Sequence, residues 1–205
     1  MTEKKAKKRK VSNLLGLAVL SYLVQGPRHP YELSRMLREN DDGRSIRFNH
    51  GSLYMVVQQL ARAGFIAEQE TTREGQRPER TVYALTEEGR REQRAWLREL
   101  VGEPQYEYPQ FVAALSLIGA LHPDEAVELL RRRLERLDEQ SAQIRALVDG
   151  AAALGVHPLF SVEEEYRLAL LAADRDFTER FIEKITDPED GWGPEWARFH
   201  ERRDP

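Results

Sequence analysis

The side chains best suited to chemistry lie between residues 49 and 62. Leu53, Val57 and Leu60 recur there at i, i+4 and i+7, the spacing of a helix with one buried face. At 100° per residue the outward positions are Met55, Gln58 and Arg62, flanked by Ser52, Tyr54 and Gln59. These types suit the edges of base pairs. A glutamine can pair bidentately with adenine, serine and histidine can bond base edges or phosphate, and Met55 can press on a thymine methyl. Asn49 is placed to cap the helix, His50 and Gly51 open its first turn, and the free amides there can meet a phosphate. The same pattern also fits a plain solvated helix face with Tyr54 half-packed on the domain.

A second group is Arg73, Arg77 and Arg80, which surround Gly75 and Pro78 in a polar loop and could reach a minor groove or a phosphate backbone. Glu74 and Glu79 offset part of that charge, so a solvated turn remains open. Further back, His29-Pro30-Tyr31 opens a helix whose start could lie against the backbone, or whose Tyr31 could simply pack. Catalytic constellations are not apparent. The histidines His29, His50, His122, His157 and His200 are scattered, cysteine is missing, and no glycine-rich phosphate loop or nucleophile motif occurs. Carboxylates at Glu163-Glu164-Glu165 and at Asp174 and Asp176 are one or two residues apart, so they do not face each other on a helix. The expectation is a protein that is not an enzyme, with no cofactor and no metal.

The elements that must hold these groups follow from periodicity and punctuation. Ser12 and Asn13 precede an apolar helix ending at Gly26-Pro27. Pro30 starts a second helix with Leu33, Met36 and Leu37 on one side, and the third runs from Asn49 to Gly64. The period then changes to two. Residues 65–70 and 80–85 predict a hairpin around the arginine loop, and Thr86 starts a fourth helix through Leu100 that carries Trp96. Three helices, a two-stranded wing and another helix make a winged helix-turn-helix. The remainder is helical by pattern, so the fold class is mainly α: an N-terminal winged helix-turn-helix followed by an all-helical dimerisation domain. The expected divisions are a basic disordered arm at 1–11, the DNA-binding domain at 12–102, the dimerisation domain at 103–187 and a flexible tail at 188–205.

Charge separates the two halves. Of the 205 residues, the first hundred carry a net charge of +6 and the rest −10, against −4 for the whole. The front half suits a polyanion and the back half would repel one. No apolar run approaches a membrane span, so a cytoplasmic protein with no membrane partner is expected. In the back half, Val127, Leu130, Leu134, Leu137, Ser141, Ile144 and Val148 step by three and four, a heptad seam that calls for a partner helix. A second amphipathic helix carries Tyr166, Leu170, Phe177 and Phe181. A homodimer through these residues is the expectation; pairing of the two helices within one chain is the alternative.

Four blocks then resemble, in order and spacing, the PadR family of bacterial transcriptional regulators: Gly26-Pro-Arg-His-Pro-Tyr-Glu-Leu33, Asn49-His-Gly-Ser-Leu-Tyr54, Leu60-Ala-Arg-Ala-Gly-Phe-Ile66 and Arg80-Thr-Val-Tyr-Ala-Leu-Thr-Glu-Glu-Gly89. The resemblance spans about residues 12–100. It implies a homodimeric DNA-binding repressor or activator, often ligand-responsive. The expected function is thus a homodimeric, sequence-specific regulator, a repressor released by a small apolar or aromatic effector, on double-stranded operator DNA with two-fold symmetry. Trp96 and Phe111 are candidates for the effector site. The alternative is a module that binds an effector or protein, with the winged domain as scaffold.

Overall fold

A computed structural model describes residues 9–69 and 81–201 and divides into two compact units, residues 1–106 and 107–205. In the first unit, α1 (Leu14–Leu23) is capped by Asn13, whose side chain accepts from the Leu15 amide at 3.0 Å. Its apolar character on all sides has the expected consequence: Leu15, Val19, Leu20 and Leu23 are all buried. Helix α2 (Pro30–Glu39) begins with proline in its first turn, and His29 and Glu32 satisfy each other's backbone amides. A 3-10 turn, Asp42–Arg44, leads to α3 (His50–Arg62). Leu53, Val57 and Leu60 are at most 1% exposed, so the inner stripe packs into the core with Leu33 and Leu37 of α2. Gly64 ends α3 with φ of 79°, a conformation a side chain would resist.

Strands β1 (Ile66–Gln69) and β2 (Val82–Leu85) pair antiparallel with Ile66 opposite Leu85. Arg28, just before α2, adds a bridge to Tyr83 through two 3.0 Å backbone bonds, so the hairpin is tied to the start of the second helix. Thr86 then caps α4 (Glu87–Gly102): its hydroxyl donates to the Gly64 carbonyl at 2.7 Å and accepts from the Gly89 amide at 3.0 Å. A Cβ on Gly89 would sit 1.9 Å from the Phe65 carbonyl oxygen, so only glycine lets α4 start this close to β1.

Of the expected arm at 1–11, only residues 9–11 are described. Val11 is buried in the first core, and the Arg9 guanidinium lies 4.7 Å from the Trp96 ring centre while pairing with Glu92 and Glu99. Residues 9–11 therefore belong to the folded unit; residues 1–8 lie outside the described residues.

In the second unit, α5 (Gln110–Ser116) and a 3-10 turn (Ile118–Ala120) precede α6 (Pro123–Ala153) and α7 (Val162–Thr186). Helices α6 and α7 pack antiparallel, joined by Arg133 with Asp174 and Arg175 with Asp138. The α6 seam expected to meet a second copy is largely occupied within one chain. Val127, Leu130, Leu137 and Ile144 are already buried within one chain, Leu134 and Val148 are half-buried, and α7 of the same chain packs along the helix that carries them. Each buried seam leucine or isoleucine contributes about 1.5–3 kcal/mol, against ~0–1 kcal/mol for an exposed ion pair such as Arg175–Asp138; Arg133–Asp174 is a single half-buried pair. The seam, not the arginine pairs, therefore holds the hairpin together. The expected flexible tail is also revised: α8 (Gly193–Glu201) buries Trp196 in a cluster with Ala126, Val127, Leu130 and Ile185. Among the described residues, no helix is long and apolar enough to cross a membrane.

Candidate nucleic-acid interface

Helix α3 presents one continuous exposed row. Gly51, Met55, Gln58 and Arg62 lie at i, i+4, i+7 and i+11, all are exposed, and Met55 reaches 61%. Gln59 is exposed beside them. Gln58 Oε1 accepts a long 3.4 Å bond from Arg62, a contact of exposed groups that a better partner can displace. An exposed methionine followed by a glutamine and an arginine gives the row an apolar contact and two bidentate-capable groups. That is the chemistry for reading a major groove.

The N-terminus of α3 is arranged differently from the outer face. Asn49 Oδ1 accepts from the Ser52 amide, and the Ser52 hydroxyl accepts from the Asn49 amide, both at 2.8 Å, then donates to the Asn49 carbonyl at 2.9 Å. These two side chains satisfy each other's backbone amides, so Asn49 and Ser52 brace the turn at the start of α3. His50 stacks on Tyr54 with ring centres 4.6 Å apart, which leaves His50 exposed and Tyr54 half-buried. Tyr31, 57% exposed at the start of α2, is free to reach outward. Arg73, Arg77 and Arg80 lie outside the described residues.

One cation escapes the sequence reading. Arg47 is exposed two residues before the Asn49 cap. It was legible as a basic residue adjoining a helix start, where cation and amides can address the same phosphate. Lys10, also exposed, is engaged with its own unit, donating to the Ala63 carbonyl at 3.4 Å with its ammonium 5.5 Å from the Phe65 ring centre.

The residues expected at a dimer seam and an effector site separate into different settings. Tyr166, Leu170 and Phe177 are exposed on α7, at 66%, 53% and 41%, while Phe181 turns toward the second core. Trp96 is 3% exposed beneath Arg9 in the first unit. Phe111 lies in the second unit under Arg133, whose guanidinium carbon is 3.5 Å from the ring centre. Trp96 is therefore a core residue, and the two belong to different units.

Residues 19–95 match the model of the transcriptional regulator PadR-like family. The negative transcriptional regulator PadR of Bacillus subtilis (strain 168) is 27% identical over 123 residues, covering 60% of this chain and 66% of the relative, just under two thirds of its length. The fold is shared with solved structures. Bacillus subtilis PadR in complex with operator DNA superposes with a TM-score of 0.65 at 21% identity, covering 83% of this chain and 98% of that one. The complex of the same protein with p-coumaric acid gives 0.65 at 19% identity, over 87% and 97%.

Proposed function

We propose that this chain, in which residues 19–95 match the model of the transcriptional regulator PadR-like family, is a homodimeric, sequence-specific DNA-binding repressor that works in the cytoplasm on a two-fold symmetric operator. The observation that carries this reading is the exposed row Gly51, Met55, Gln58 and Arg62, opposite a face of α3 that is fully buried. The charge division supports it, since the basic half contains α3 and the acidic half contains the α6–α7 hairpin. Two copies would set their α3 helices about 34–36 Å apart, one turn of duplex. The operator-bound and p-coumaric-acid-bound relatives support two further parts of the reading: an operator as target and a small aromatic effector as release signal.

Footprinting on the DNA flanking the protein's own gene, followed by anisotropy titrations, tests the proposal. Gln58→Ala should relax preference at one base pair per half-site, a loss of roughly 1–3 kcal/mol of discrimination, with the slope of log K against log salt unchanged. Arg47→Ala should weaken all duplexes alike and lower that slope by about one. A chain that protects no duplex, with a flat salt response, would instead be an interaction module using the winged domain as scaffold.

A further inference from the structure

The end of the second unit builds a cleft that DNA reading does not use. The Asp187 carboxylate accepts from the amides of Glu189 and Asp190 at 2.8 and 2.9 Å, and the Trp192 amide returns to the Lys184 carbonyl at 2.8 Å. A Cβ on Gly191 would lie 2.1 Å from the Asp187 carbonyl oxygen, and one on Gly193 would lie 2.7 Å from that of Ile185. The turn thus requires both glycines, and it folds α8 back against α7. The result is a cleft of about 460 Å³ walled by Phe181, Trp192, Trp196 and Phe199, with Ile118 and Gly119 on the remaining side. That volume falls in the range of small-molecule sites.

Three features define what fits. Aromatic faces dominate the wall, and Phe181 and Trp192 meet edge-on with centres 6.2 Å apart, forming a corner for a flat ring. Glu195 is the one charged residue of the lining and makes no ion pair among the described residues. The Lys184 ammonium, which is not part of the lining, lies 5.3 Å from the Trp192 ring centre, so that ring already attracts a cation. We propose that this cleft binds a planar aromatic cation, with its ring against Trp192 and Phe199 and its positive charge facing Glu195. An aromatic acid such as the relative's p-coumaric acid would meet Glu195 with like charge. The inference does not depend on the DNA-reading proposal.

The test is calorimetric titration of the full-length protein, free of DNA, with N-methylacridinium and with acridine at a pH where acridine is neutral. The cation should bind once per chain, about tenfold or more tighter than acridine. Glu195→Gln, at an exposed position, should lower the affinity for the cation several-fold and leave acridine itself unchanged, while Phe199→Ala should weaken both; melting curves establish that the variants are folded. Equal affinities for the two rings, an unaltered cation affinity in Glu195→Gln, or no binding at all would overturn the assignment. Conversion of a dimer to monomers by Phe199→Glu would overturn it too, since a second copy would then cover the cleft. Operator binding by the same preparation, with no cation bound, would leave the DNA reading standing and this inference refuted.

Discussion

Tyr22 illustrates how one side chain can hold a linker. Its hydroxyl donates to the Asp42 carboxylate and accepts from Asn40 Nδ2 at 2.7 Å, which ties α1 to the turn between α2 and α3. That turn contains Asp41 at a left-handed φ of 54°. Burial first, and then the bond to Asp42, push the Tyr22 pKa up to about 12 from an ordinary value of 10.0. A pKa raised on folding stabilises the folded state fully below the unfolded value, and that contribution disappears as pH rises from 10 through 12. Tyr22→Phe should cost about 1 kcal/mol at neutral pH and should flatten the fall in melting temperature between pH 10 and 12. Parallel melting profiles for the two proteins would refute it. The outward row of α3 was legible at this scale because period alone sorts Met55 and Gln58 from Leu53 and Val57. The engagement of Ser52 was not, since a serine at the start of a helix looks the same whether it reads a base or closes its own cap.

Helix α8 is the element the sequence concealed. Asp187-Pro-Glu-Asp-Gly-Trp-Gly-Pro194 has the composition of a loose tail, because proline, glycine and acidic residues are also what a tight turn requires. What separates the two is tertiary: both glycines lie against carbonyl oxygens, and the Asp187 carboxylate holds two amides. Those amide bonds, from Asp190 first and Glu189 second, lower the Asp187 pKa below the ordinary 3.8. The sign is opposite to that of Tyr22. The contribution is present above the unfolded value and is lost as pH falls below about 3.8 and through the folded value. Hydrogen exchange at α8 should therefore accelerate in acid in the natural protein. Asp187→Asn keeps an acceptor oxygen but no titrating charge, so its exchange, corrected for intrinsic rates, should not show that step. An equal acid step in both proteins would show that the turn does not depend on this carboxylate. The strands and α1 to α4 lacked this difficulty, as their periods are local.

At the scale of the molecule the question is which surface would join two copies in the proposed homodimer. A heptad seam announces a partner but cannot name it, because a helix of the same chain satisfies the spacing as well as one from another. In this protein α6 spends its seam on α7, so Leu137, 5% exposed, is an internal residue. On α7 the outer row of Tyr166, Leu170 and Phe177 remains exposed, with Leu129 and Leu147 exposed on α6. A row of large apolar groups on a highly charged hairpin is a candidate for the surface that the proposed homodimer would cover. The two sites should therefore respond differently to the same substitution. Leu137→Lys buries a charge without a partner and should destabilise the second unit by more than about 3 kcal/mol, so unfolding precedes any change in association. Leu170→Lys places its charge in water in the monomer and should leave the melting temperature of the separated chain nearly unchanged. It should nonetheless give monomers in sedimentation, and these should hold one half-site with much reduced operator affinity. A Leu170→Lys protein that remained a dimer would move the interface away from the outer row of α7.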